Sequence, residues 1–149
     1  MTTHLPLDDT DRRAFVELYA GLTHRQFDDA GLFPGGQVLS FDLLKPVAAA
    51  PTPLLVFVKG GGFRNNHRSR YLPALTRIAE HGVAVASIEY RTSNQAPFRA
   101  SLDDVLHGVR YLREHAERLN VDPARTAIWG NSAGATLALH AAGALRGEE

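Results

Sequence analysis

Toward the end of the chain, Gly130-Asn131-Ser132-Ala133-Gly134 reads G-x-S-x-G. A serine at the centre of this pattern does chemistry when a strand turns abruptly into a helix beneath it, because the turn lifts the hydroxyl off the sheet. The two glycines let such a turn close without a side-chain clash. The backbone N–H of Ala133, at the start of the helix, then faces the place where negative charge develops on an attacked carbonyl oxygen. Without that context the pattern is only a serine in a tight turn. A second run, Gly60-Gly61-Gly62, follows "LLVFVK". Consecutive glycines after a strand let backbone amides approach a ligand closely, as an oxyanion hole or a phosphate cradle requires. The phosphate-loop pattern G-x-x-x-x-G-K-[ST] is absent.

The elements around both motifs supply the context. Thr126 to Trp129 reads as a short strand and Ala133 to Leu145 as a small-residue helix, so Ser132 falls at a strand-to-helix junction. Leu54 to Lys59 is a continuous apolar run, the mark of a strand buried on both faces, and Val83 to Tyr90 is a second. Between them, Tyr71 to His81 carries Leu72, Leu75, Ile78 and Ala79 at helical spacing, with Gly82 as the stop. The clearest helix begins at Ser101, which makes an S-x-x-D capping box with Asp104. Leu102, Val105, Leu106, Val109, Leu112, Ala116 and Leu119 line its apolar face, and Asn120 ends it. Upstream, Asp8 to Ala20 reads as a helix with Thr10 as N-cap, and "GLFPGGQ" as a break. "VLSFDLL" is then a strand closed by Pro46, and "VAAAPTP" a loop. Strands alternating with helices predict parallel strands joined by helical crossovers. The expectation is one α/β domain over 1–149, with 1–37 as an N-terminal helical and loop segment.

Composition bounds the function. The chain has 149 residues, 44% hydrophobic and 21% charged, which places it with soluble globular proteins. Sixteen basic side chains balance sixteen acidic ones, so nothing points to nucleic acid or an anionic membrane as partner. There are no cysteines, which excludes disulfides, thiol catalysis and cysteine-ligated zinc. The start, "MTTHLPLDDTDRR", has no apolar run after a basic segment, and the expected location is cytoplasmic. No pair of histidines has metal-ligand spacing on a convincing element, so no metal is expected.

Taken in order, "LLVFVKGGGF", "VAVASIEYRTSNQAPFRASLDDV" and "NVDPARTAIWGNSAG" resemble the glycine loop, the D-Y-R-type segment and the nucleophile turn of the α/β-hydrolase superfamily. The likeness is to the hormone-sensitive-lipase-like and the acetyl-xylan and feruloyl-esterase-like carboxylesterases, and covers about Val38 to Ala142. It implies an α/β-hydrolase-type mostly parallel sheet with flanking helices, truncated after the helix that follows the serine. It implies Ser132 as nucleophile, the amides of Gly61, Gly62 and Ala133 as the oxyanion hole, and hydrolysis of small carboxylic esters without a cofactor. Arg91, Asp104 and Glu89 fall where that family has bracing charges and receive no catalytic role. Lys59 stands where the family has a histidine that helps to fix the loop; the expectation is a tolerated substitution, the alternative a longer, charged stem that reaches a carbonyl and reshapes the hole.

In that family the triad runs in the order serine, acid, histidine. After Ser132 the only histidine is His140 and the only acids are Glu148 and Glu149. His140 lies about 12 Å along a helix at 1.5 Å per residue, and cannot serve as the base. His107 and His115 read as helix-surface residues, and His81 as a helix-end residue. His67, just after the glycine loop, is the one upstream candidate, while His4 and His24 carry no signal. The expected function is therefore a serine ester hydrolase whose acid and base are missing from this chain, essentially inactive alone. Its expected partners are a small-molecule ester, and either a second copy or a complementing C-terminal half. The alternative is a hydrolase-like remnant or binding module without catalysis.

Overall fold

The apolar run at Leu54 has two covered sides. Leu54, Val56 and Val58 belong to one buried cluster and Phe57 to another, as the two-residue period of a strand demands. The computed structural model describes residues 16–19, 21–27, 39–64 and 67–148. Numbered in chain order, its strands are β1 (Val16–Tyr19), β2 (Leu22–Phe27), β3 (Phe41–Pro46), β4 (Thr52–Val58), β5 (Ala84–Ile88) and β6 (Val121–Gly130). Its helices are α1 (Leu72–Ala79), α2 (Phe98–Glu114), α3 (Ala116–Leu119) and α4 (Ala133–Leu145).

The strands form one six-stranded sheet in the order β1-β2-β3-β5-β4-β6. β5, β4 and β6 run parallel, so their C-terminal ends open on the same edge. In such sheets that edge is where ligands bind. β1, β2 and β3 are antiparallel to one another, and β3 is antiparallel to β5. One face of the sheet is covered by α1 through Leu75 and Ala79, the other by α2, α3 and α4 through Val105, Leu112, Leu119, Leu137 and Ala141. Among the described residues, no helix is long and apolar enough to cross a membrane.

Several expectations are corrected. The helix read over Asp8 to Ala20 gives way to a strand at Val16–Tyr19, paired with β2; its earlier residues, and the break at 31–37, lie outside the described residues. β2 itself, "LTHRQF", was not anticipated. It alternates polar residues, yet Arg25 is buried with its guanidinium 4.4 Å above the Phe27 ring. β3 runs on through Pro46, which pairs with Leu22 at the end of the ladder, where a missing N–H matters least. β4 starts at Thr52, inside the expected loop. β6 is longer than the expected strand, with Pro123 to Arg125 inserted between the pairs Asp122–Pro53 and Thr126–Leu54.

The capping box is also overturned. α2 begins at Phe98, after Pro97, and Ser101 lies inside it. Ser101 Oγ donates to the carbonyl of Arg91 at 2.5 Å. The Asp104 carboxylate accepts from the Arg91 amide at 2.8 Å and from its guanidinium at 2.8 and 2.7 Å. The pair therefore fastens α2 to the chain leaving β5, and holds the Arg91 guanidinium above its ordinary pKa, chiefly through the hydrogen bond to Asp104. The stop at Asn120 stands: it takes a left-handed conformation, φ 53°, at the end of α3.

Asp104 is 2% exposed, whereas Asp103, paired with Arg99, lies at the surface. Asp104→Asn is expected to lower stability by about 1.5–3 kcal/mol, the range for hydrogen bonds to charged groups. Asp103→Asn should stay within about 0.5 kcal/mol, as for other exposed pairs. Urea unfolding of both variants checks the contrast.

Candidate active site

Ser132 sits between the last residue of β6 and the first of α4 at φ 51°, ψ −123°, a conformation that strains any residue with a Cβ. The residue is exposed. Helix bonds begin at once: Gly134 N–H donates to Asn131 O and Ala135 N–H to Ser132 O, both at 2.9 Å. What forces the turn is contact between backbones. A Cβ on Gly134 would lie 2.0 Å from the carbonyl oxygen of Val58, and one on Gly130 would lie 2.4 Å from the carbonyl of Gly134. The first turn of α4 is thus pressed onto the end of β4, and both glycines of the pattern are required by that approach.

The same approach sets the glycine loop beside the serine. Gly60 donates its N–H to Asn131 Oδ1 at 2.9 Å, and a Cβ there would meet the Asn131 carbonyl at 2.7 Å. Gly61, Gly62 and Phe63 follow with φ of 129°, 63° and 61°. Ala133 is buried as the first residue of α4, with its N–H at the positive end of the helix. The structure therefore brings Ser132, Ala133 and the loop Gly60 to Gly62 to one place, at the C-terminal ends of the parallel strands.

Asn131 was not singled out from the sequence. It ties the two motifs together, accepting from Gly60 while its Nδ2 donates to the Tyr71 hydroxyl at 3.0 Å. A polar residue at the first x of G-x-S-x-G, in a chain with a glycine loop elsewhere, is the signal that would have found it.

Lys59 is 1% exposed. Its ammonium pairs with Glu89 and lies 3.9 Å from the centre of the Tyr90 ring, while the Tyr90 hydroxyl donates to the Lys59 carbonyl at 2.7 Å. Burial, then the charge of Glu89, pushes the Tyr90 hydroxyl pKa up to about 12, so it remains a donor across the working range.

Each described histidine meets a group other than Ser132. His81, His107 and His115 donate from Nδ1 to the carbonyls of Arg77, Asp103 and Tyr111 at 2.7, 2.7 and 2.8 Å. His24 pairs with Asp42 at 2.9 Å. His67 Nδ1 accepts from the hydroxyl and amide of Ser69 at 2.6 and 3.2 Å. His140 is exposed and sets its ring edge-on to Phe98, 5.6 Å between centres. His4 lies outside the described residues.

A sharp strand–serine–helix turn and a glycine loop, both at the C-terminal edge of parallel strands, match the N-terminal part of the α/β-hydrolase fold of carboxylesterases. The family model BD-FAE matches residues 41–148, and the chain belongs to that family. It is 33% identical over 121 residues to Esterase LipQ of Mycobacterium tuberculosis, covering 78% of this chain and 29% of the relative. It is 32% identical over 107 residues to an ethyl acetate hydrolase of Pseudomonas putida, covering 69% and 34%. Among solved structures, a bacterial heroin esterase superposes with a TM-score of 0.79 at 33% identity, over 87% of this chain and 41% of that one. The chain thus spans between a quarter and a half of the length of these relatives.

Two substitutions test the geometry. Gly134→Ala is expected to cost roughly 3 kcal/mol or more, because its Cβ meets backbone that cannot yield. Gly143→Ala, on the same helix with nothing within 4 Å, should be neutral or stabilising by up to about 1 kcal/mol. Separately, Asn131→Asp should be tolerated, since Tyr71 can donate to a carboxylate. Asn131→Leu strips Gly60 and Tyr71 of a partner, for an expected loss of about 1–3 kcal/mol. Chemical denaturation midpoints check all four.

Proposed function

We propose that Ser132 is the nucleophile of a serine ester hydrolase, and that the amides of Gly61, Gly62 and Ala133 receive the oxyanion. The single observation that carries this reading is the strained, exposed Ser132 held against the glycine loop by Asn131. Ser132 Oγ attacks the ester carbonyl carbon while a base takes its proton, and the amides meet the oxygen that becomes negative. Collapse expels the alcohol with the proton from the base. Water then attacks the acyl-serine by the same path and frees the carboxylic acid. The reading needs no cofactor.

The base and the acid that orients it come, in this reading, from polypeptide outside these 149 residues. The engagement of every described histidine elsewhere supports that. Small carboxylic esters are the proposed substrates, in keeping with the printed activity of the ethyl acetate hydrolase. Phe98, 42% exposed and edge-on to Phe63 just beyond the glycine loop, offers an apolar surface for such a group. The histidine arrangement also favours a second reading, a hydrolase-like module that binds without turnover.

Hydrolysis of p-nitrophenyl acetate by the protein and by Ser132→Ala, with and without added imidazole, separates the two. Alone, the expected serine-dependent rate is faint, since an oxyanion hole without its base retains roughly 10³–10⁴ over water. Imidazole supplies the missing base, and the difference between wild type and Ser132→Ala should grow with its concentration. Equal rates for the two proteins at every imidazole concentration would favour the binding module. Turnover at ordinary enzyme rates without imidazole would place the base within the chain, with His67 the first residue to replace.

A further inference from the structure

Lysine is the residue least suited to the spot it occupies. At 1% exposed, at the end of a buried apolar strand, its charge is costly unless opposed by another. Here it is opposed, and the opposing group is itself held. Glu89, just past β5, pairs with the Lys59 ammonium through one carboxylate oxygen and accepts the Arg68 amide through the other, at 3.3 Å. The Arg68 guanidinium, also buried, forms an ion pair with Asp42 on β3 at 3.0 Å, and the Arg68 carbonyl accepts from Ser87 Oγ at 2.5 Å. Asp42 is fully buried and takes His24 Nε2 of β2 on its other oxygen, at 2.9 Å. Contacts thus run in one line from the antiparallel strands to the root of the glycine loop: Asp42 to the Arg68 guanidinium, the Arg68 backbone amide to Glu89, and Glu89 to Lys59.

The line ends on a backbone clamped at three successive points. The Lys59 side chain is fixed by Glu89 and the Tyr90 ring, its carbonyl by the Tyr90 hydroxyl, and the next amide, that of Gly60, by Asn131. Immediately beyond come Gly61 and Gly62, which have the greatest backbone freedom to lose. Building on the ester-hydrolase reading, the structure assigns Lys59 the role of a positioning residue, which fixes the amides of Gly61 and Gly62 through its ion pair with Glu89 and the chain of contacts through Arg68 behind it. It is more than a neutral replacement for a loop brace, because removing either charge releases the other. Glu89 is partly exposed, so once freed it turns to water and drops the Arg68 amide as well.

Amide hydrogen exchange on the full chain, resolved at Gly61 and Gly62 and at the core amides of Val56 and Ala86, tests this without any need for turnover. Lys59→Met is expected to speed exchange at the two loop glycines by about 10-fold or more beyond any change at the core amides, as local opening does. Glu89→Gln should do the same, which keeps the test alive if Lys59→Met fails to fold. Lys59→Met/Glu89→Gln together should do no more than the worse single change, since two residues of one pair are not additive. Asp42→Asn should move the loop in the same direction from the far end. Loop exchange that merely follows the core amides in all of these variants would overturn the assignment and leave Lys59 a general stabiliser. Where serine-dependent hydrolysis is measured, Glu89→Gln should lower kcat with KM little changed, because the oxyanion exists only beyond the ground state. Failure of hydrolysis in the wild type would remove the ester-hydrolase reading while leaving the exchange result to decide the role of Lys59.

Discussion

The approach of helix α4 to strand β4 governs what the rest of this protein can do. Where Gly134 faces the carbonyl of Val58 there is no room for a single methyl group. Because the helix comes so close, the chain entering it must turn within two residues of leaving β6, and the residue at the apex takes positive φ whatever its side chain. The strain at Ser132 is thus a consequence of packing distance, sustained by the buried apolar contacts of Val58, Leu137 and Ala141 around it. The glycine loop inherits its place from the same contact, since Gly60 leaves β4 at the point where Asn131 arrives from β6.

How much of this was legible follows from the range over which each feature is decided. The helix from Ala133 to Leu145 was read to the residue, because a G-x-S-x-G junction and a Leu/Ala-rich run are local signals. β4 and β5 were legible as apolar runs for the same reason, since burial on both faces writes itself into consecutive residues. β2 was not, because its burial rests on charges. Arg25 lies over Phe27, and His24 bonds to Asp42 across the strand pair, a solution visible only once β3 is alongside. The pattern S-x-x-D at Ser101 shows the opposite failure. The spacing that lets a helix cap itself also puts both side chains on one face of a helix already begun, and the competing tertiary partner, Arg91, won.

Lys59 belongs with the illegible part. Read along the chain, a lysine closing an apolar strand is a residue reaching for solvent. In the fold its acid partner arrives from the end of the neighbouring parallel strand, and the Tyr90 ring closes over the remaining side. Parallel strands bring the ends of distant segments to a common edge, so the polar groups gathered there are chosen by topology.

One residue at the opposite margin of the sheet has a practical consequence. Trp129 is the only tryptophan in the chain, 47% exposed on β6, with its ring 5.2 Å from that of Phe57. All indole fluorescence therefore originates from one strand at the sheet's margin, half in water and half against the apolar face beneath α1. The emission maximum is a direct optical readout of how wet that margin is. Any polypeptide laid along β6 would move it to shorter wavelength without a label being attached.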